Sequence, residues 1–274
     1  MTAPPVPAPL QPTVDALEHT ARSLLALGGQ LDQAAWSQPT ECPGWSVKDV
    51  YSHVIGIEAE LLGDPVPDVP APGAAYLRSD TARHLERAVE HRRARSGPEV
   101  LTELGEIIER RLSELRSRPP RPNEVLTGPV GGPVPASRLL QMRIFDLWTH
   151  EQDVRRAVGR PGNLTGPGAE TTRDLILRSL PWVVAKVAGA PRGSEVLFDV
   201  RGALPFTVTV VVSPEGRGSL VREPTGSPTL RLGMDWETFL RLSAGRCLPA
   251  HVEVDASGDL ALAARVLDAM AITP

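Results

Sequence analysis

Val14, Leu17, Ala21, Leu24, Gly28 and Leu31 fall at alternating spacings of three and four. That spacing gathers all six on one stripe of an α-helix starting at about Thr13, and a strand, with its period of two, would scatter them over both faces. Further on, Leu101, Leu104, Ile108, Leu112 and Leu115 repeat the device within "PEVLTELGEIIERRLSELRS", where Pro98 suits a first helical turn. A chain built from such stripes must bury them against one another, so the expectation is an antiparallel helical bundle.

The intervening segments set the helix boundaries. "PTECPGW" reads as a turn, and Ser46 followed by Asp49 resembles a capping box, with Trp45 and Val50 as a hydrophobic staple, so a second helix should run from about Val47 to Leu62. The Pro-rich "GDPVPDVPAPG" separates it from a charged helix in "AYLRSDTARHLERAVEHRRARS", and residues 118–135 form a second Pro/Gly-rich loop. Ser137 is a plausible N-cap for the helix that carries "RIFDLWTHEQDVRRAVGRP", which should end near Gly159, ahead of Pro161. The expected arrangement is a four-helix bundle with an extra helix on its flank.

After residue 162 the pattern changes. A helical segment over 167–189, which Pro181 can kink or divide, leads to the β-branched runs "SEVLFDV", "PFTVTVVVS", "RGSLVRE" and "PTLRLG". Helical patterns follow in "DWETFLRLSAG" and "GDLALAARVLDAMA". The expected class is therefore α plus α+β: residues 1–12 a disordered tail, 13–162 the bundle, and 163–274 a small antiparallel sheet packed on helices, with 167–189 as the connecting helix.

Composition narrows the partners. A formal net charge of −4 over 274 residues gives no general attraction to phosphate backbones, so nucleic acid is not expected as a partner. Nor is a membrane: no apolar run approaches the ~18 residues of a span, and "MTAPPVPAPLQP" lacks the charged and apolar regions of a signal peptide. Cys42 and Cys247 are too few and too far apart for a disulfide framework or a zinc ribbon, which fits a reducing cytoplasm.

The chemistry-bearing positions are Asp146 and His150, four residues apart and so on one helical face, with Leu139, Met142 and Ala157. Ile144 and Trp148 make the opposite side apolar as well, which places this helix centrally. A buried carboxylate and imidazole need partners, and a divalent metal can satisfy both. His53, on the helix face shared by Val50, Ile57 and Glu60, is the best third ligand, and two His with one carboxylate would leave an open position of the catalytic kind. Spacing alone leaves the alternative standing: Asp146 and His150 as a hydrogen-bonded pair, and His53 as a satisfied core histidine. Asp153, three residues after His150, can orient it or form a salt bridge. Cys42 reads as a small buried residue, His84 and His91 as a solvated face, and Trp45 and Trp148 as core.

"PTECPGWSVKDVYSHVIG" and "FDLWTHEQDVRRAVGRP" resemble the two N-terminal motifs of the mycothiol-dependent maleylpyruvate isomerase family, and "DWETFLRLSAGR" with "ASGDLALAARVLDAMA" resembles its C-terminal part. The resemblance implies a DinB-like bundle followed by a sterol-carrier-like α+β domain. It implies His53, Asp146 and His150 as ligands of Zn2+ or another divalent metal, with Asp where some relatives carry Glu. An arginine of the second domain would act near the site, Arg246 of "SAGR" or its rival Arg241. The implied partners are a low-molecular-weight thiol, mycothiol, as cofactor or cosubstrate, and a small electrophile that is isomerised by reversible thiol addition or retained as an S-conjugate. A monomer or weak homodimer is expected. The competing expectation is a non-catalytic small-molecule-binding protein with a structural or vestigial metal site.

Overall fold

The apolar stripes fold as α-helices. In the computed structural model, which describes residues 10–273 except 223 and 225, the first unit contains α1 (Gln11–Gly28), α2 (Val47–Leu61), α3 (Asp80–Arg92), α4 (Gly97–Ser117) and α5 (Ala136–Ala157). Leu17 and Leu24 of α1, Val50 and Val54 of α2, Leu104 and Ile108 of α4, and Leu140 and Ile144 of α5 share one core. Each large side chain buried there contributes about 1.5–3 kcal/mol. Helix α3 lies outside this group of four and packs on α2. Gly56 permits that approach, because a Cβ there would come within 2.2 Å of the Ala88 Cβ.

Local signals explain most boundaries. Ser46 caps α2 through a capping box: its hydroxyl accepts from the Asp49 N–H, and the Asp49 carboxylate accepts from the Ser46 N–H at 2.8 Å. Ser96 and Glu99 do the same for α4. Two expectations are corrected. Helix α1 already includes Gln11 and Pro12, since Pro is tolerated in a first turn, whereas the tail expected over 1–12 otherwise falls, for residues 1–9, outside the described residues. Helix α5 begins at Ala136, with Pro135 in the cap position, so Ser137 is not its N-cap. The loop before it also carries a short hairpin, β1 (Val125–Thr127) with β2 (Pro133–Pro135).

A second unit begins at Asn163. Here α6 (Pro167–Trp182) runs into a π-helical turn, Val183–Val187, just after Pro181. Strands β3 (Glu195–Arg201), β4 (Phe206–Val212), β5 (Gly218–Val221), β6 (Leu230–Asp235) and β7 (Asp255–Gly258) form a sheet in the order β5-β4-β3-β6-β7, with α7 (Trp236–Ser243) and α8 (Leu260–Ala269). The sheet is mixed, not antiparallel throughout, because β3 and β6 pair in parallel. Strand β7 had no sequence signal: its four residues are exposed and none is β-branched. Among the described residues, no helix is long and apolar enough to cross a membrane.

Candidate metal centre

Helix α5 presents Arg143, Asp146, His150 and Asp153 at successive spacings of three, four and three, hence along one face. Helix α2 brings His53 against them. The Nε2 atoms of His53 and His150 lie 3.5 and 3.7 Å from the same oxygen, Asp146 Oδ1. One donor atom from each of the three residues falls within 4.8 Å of the others, and the two imidazole rings meet edge to face. The histidines are buried, whereas Asp146 keeps 24% of its side chain exposed, so the donor triangle meets solvent at the carboxylate.

Surrounding groups fix the donors. Arg143 Nη1 donates to Asp146 Oδ2 at 3.0 Å, holding that oxygen away from the histidines. Arg143 is itself anchored by its Nε bond to Glu58 Oε1 at 2.7 Å, and Arg111 Nε approaches the other Glu58 oxygen at 3.4 Å. His150 donates its Nδ1–H to Asp153 Oδ2 at 3.0 Å, which turns its Nε2 toward Asp146 and His53. Asp153 therefore orients His150 and also forms the salt bridge, since its Oδ1 accepts from Arg156 Nη2 at 2.7 Å.

His53 is different. Both its ring nitrogens are buried with no hydrogen bond of acceptable geometry. An unsatisfied buried polar group costs about 1–3 kcal/mol. A cation among the three donors would satisfy His53 Nε2, the nitrogen that faces Asp146, so the residues present fit a divalent metal with two imidazoles and one carboxylate oxygen.

Proton occupancy differs between the two rings. Burial dominates at His53 and pushes its pKa down, against the pull of Asp146. At His150 burial also opposes charge, but Asp146 and Asp153 outweigh it and raise the pKa to about 10. Burial works against the charged carboxylate of Asp146 too, yet Arg143 and the two histidines hold its pKa well below the usual carboxylate range. In the metal-free state near neutral pH, then, His150 carries a proton that a metal must displace, while His53 and Asp146 do not. Zinc binding to metal-free protein is expected to release about one proton per ion, and the apparent affinity to rise about tenfold per pH unit between pH ~6 and 8. Calorimetry in buffers of different ionisation enthalpy reads the proton count; release of none or two would contradict this assignment.

Several neighbours were not foreseen in these roles. Trp45, expected in the core against Val50, is half-buried, with its ring 4.8 Å from that of His53 and 5.9 Å from that of His150. Its indole Nε1 donates to Glu86 at 2.8 Å. Trp148 is fully buried as expected, but Met142, expected to face inward, is exposed. His84 is not simply solvated: its Nε2 lies 2.9 Å from Glu60 Oε2. The buried Arg143, Glu58 and Arg111 network was missed altogether. Its signal was three charged residues on otherwise apolar helical faces. Arg246 lies in the second unit just beyond α7, where its Nη1 donates to the Ala244 carbonyl at 2.7 Å.

A helical unit with a His-Asp-His donor triangle open to solvent at its carboxylate, followed by a mixed-sheet α+β unit, defines a class of two-part proteins with a candidate metal site in the helical part. The family model described as the mycothiol maleylpyruvate isomerase N-terminal domain matches residues 17–155, about half of the chain, and the chain belongs to that family. Two crystal structures share the fold. One, of the mycothiol-dependent maleylpyruvate isomerase, is 16% identical with a TM-score of 0.55, the match covering 91% of this chain and 93% of that chain. The other, of a histidine-to-alanine mutant of the mycothiol-dependent maleylpyruvate isomerase, is 15% identical with a TM-score of 0.56 and the same coverage. No curated protein matches the chain.

Proposed function

We propose that the protein is a divalent-metal enzyme, most simply a zinc enzyme, that activates a low-molecular-weight thiol for attack on a small electrophile. His53, Asp146 and His150 would hold the metal. The observation that carries this reading is the donor triangle with two buried histidines, of which His53 has no other hydrogen-bond partner among the described residues. When bound, the metal supplies Lewis acidity, lowering the pKa of a thiol so that the thiolate is the nucleophile at neutral pH.

The chain's own residues supply the rest. Arg143 pins one oxygen of Asp146 and leaves the other as donor, and Asp153 keeps the His150 proton on Nδ1. Burial of both histidines keeps water from competing for their lone pairs. The reaction class is reversible addition of the thiol to an electrophilic double bond: rotation and loss of the thiol give isomerisation, and retention gives an S-conjugate. Family membership favours mycothiol as the thiol and an isomerase as the activity. Arg246 is the residue we assign to the electrophile's carboxylate or developing enolate charge.

Cobalt substitution tests this. A sulfur-to-cobalt charge-transfer band should appear on titration with mycothiol in a variant with Cys42 and Cys247 both replaced by serine, so that no protein sulfur can produce it. In the wild-type background, Arg246→Ala should retain metal and thiol binding while losing roughly a hundredfold in kcat/KM, the scale of one oxyanion-stabilising group. Absence of the band would remove the thiol mechanism and favour a structural metal, and unchanged turnover in Arg246→Ala would remove the arginine.

A further inference from the structure

The turn "CPGW" offers α5 a second polar side chain besides Trp45. Its backbone is tightly specified. Trp45 N–H donates to the Cys42 carbonyl at 3.0 Å across Pro43 and Gly44, and Gly44 has φ +80°, the arrangement of a type II turn. The Thr40 hydroxyl accepts from Cys42 N–H at 3.2 Å and donates to the Trp45 carbonyl at 2.9 Å. A Cβ at Gly44 would also lie within 2.3 Å of the Tyr76 ring, so the turn has little room to move.

This rigid turn sets the Cys42 thiol 3.2 Å from Asp153 Oδ2, the oxygen that also accepts the His150 Nδ1–H at 3.0 Å. The sulfur is 4.0 Å from His150 Nδ1 itself. Both Cys42 and Asp153 are buried, so the carboxylate depends on protein groups for its orientation. We infer that Cys42 is a positioning residue, donating its S–H to Asp153 and thereby helping to aim His150 Nε2 at the metal.

Cys42, Asp153 and His150 Nδ1 also lie close enough together to hold an ion themselves. Three observations favour protons over a metal there. The separations about Asp153 Oδ2 suit hydrogen bonds, although a thiol is a weak donor. Arg156 already places a positive charge on the other oxygen. His150 Nδ1 cannot donate to Asp153 and ligate a metal at once, and its Nε2 is the nitrogen facing the other two donors.

The inference rests on the metal-site reading for its functional meaning, and its test separates the two. Cobalt dissociation constants would be measured for wild type, Cys42→Ser, which keeps a hydroxyl donor, and Cys42→Ala, which has none. Alanine should weaken cobalt binding about tenfold or more, the scale of outer-shell substitutions at metal sites, and serine by no more than about threefold. In the metal-free protein, exchange of the His150 Nδ1 proton, followed by NMR, should be faster in the alanine variant and near wild type in the serine variant. Equal losses in both variants, in step with their melting temperatures, would reduce Cys42 to packing and overturn the proposal. A sulfur-to-cobalt band in thiol-free wild type that vanishes in Cys42→Ser would also overturn it, making Cys42 a ligand. A wild-type protein that takes up no cobalt ends the metal-site reading alone, and the proton-exchange comparison then decides the role of Cys42.

Discussion

Purified His150→Ala protein is expected to bind zinc roughly a hundred- to a thousandfold more weakly than wild type, and to lose thiol-dependent turnover with the metal. Four-ligand structural zinc sites bind with an apparent free energy of about 10–16 kcal/mol, or roughly 2.5–4 kcal/mol per protein donor. Each 1.36 kcal/mol is a factor of ten. His53→Ala should behave alike, because His53 Nε2 and His150 Nε2 address the same Asp146 oxygen. His84→Ala is the control, since His84 engages Glu60 and lies outside the triangle. Metal analysis of the dialysed proteins reads the result. Full occupancy in both triangle variants would remove the site assignment.

Arg143→Met is expected to lower the melting temperature by roughly 10 °C. The change takes a guanidinium from two carboxylates: Glu58, 1% accessible and bonded by Arg143 Nε, which keeps only the longer approach of Arg111, and Asp146, bonded by Nη1. Breaking a buried ion pair from one side costs about 3–5 kcal/mol, and for a domain of this size each kcal/mol moves the midpoint by about 2–4 °C. Arg201→Met, which breaks exposed pairs with Asp199 and Asp255, should leave the midpoint unchanged. Calorimetric melts of the two variants decide the matter, and similar midpoints would mean that the network around Glu58 carries no special weight.

Periodicity made the helices legible, because a stripe such as Val14 to Leu31 has one way to be buried, and Ser46 with Asp49 marked the start of α2 in four letters. The same reasoning placed Asp146 and His150 on one face. It could not show that His53 lacks any other hydrogen-bond partner among the described residues, since that is a property of the space around the ring. Arg143 was invisible for a related reason: its partner Glu58 is 85 residues away in sequence. Strand β7 was illegible because its stability comes from pairing with β6, and its own residues carry no strand preference. Cys42 looked like filler, since only the folded turn brings it to Asp153.

The bond from Arg143 to Asp146 bears on which ions the site could choose. A carboxylate with one oxygen committed to a guanidinium offers only a single ligand atom. Calcium, which seeks six to eight oxygens, and magnesium, which seeks an octahedron of them, find here two nitrogens and one oxygen. Borderline first-row ions are well matched by that set, and among them copper would outbind zinc by intrinsic preference, so the occupant follows what the cell makes available. Discrimination against the abundant hard ions would thus be enforced in part by an arginine that supplies no ligand atom to the triangle.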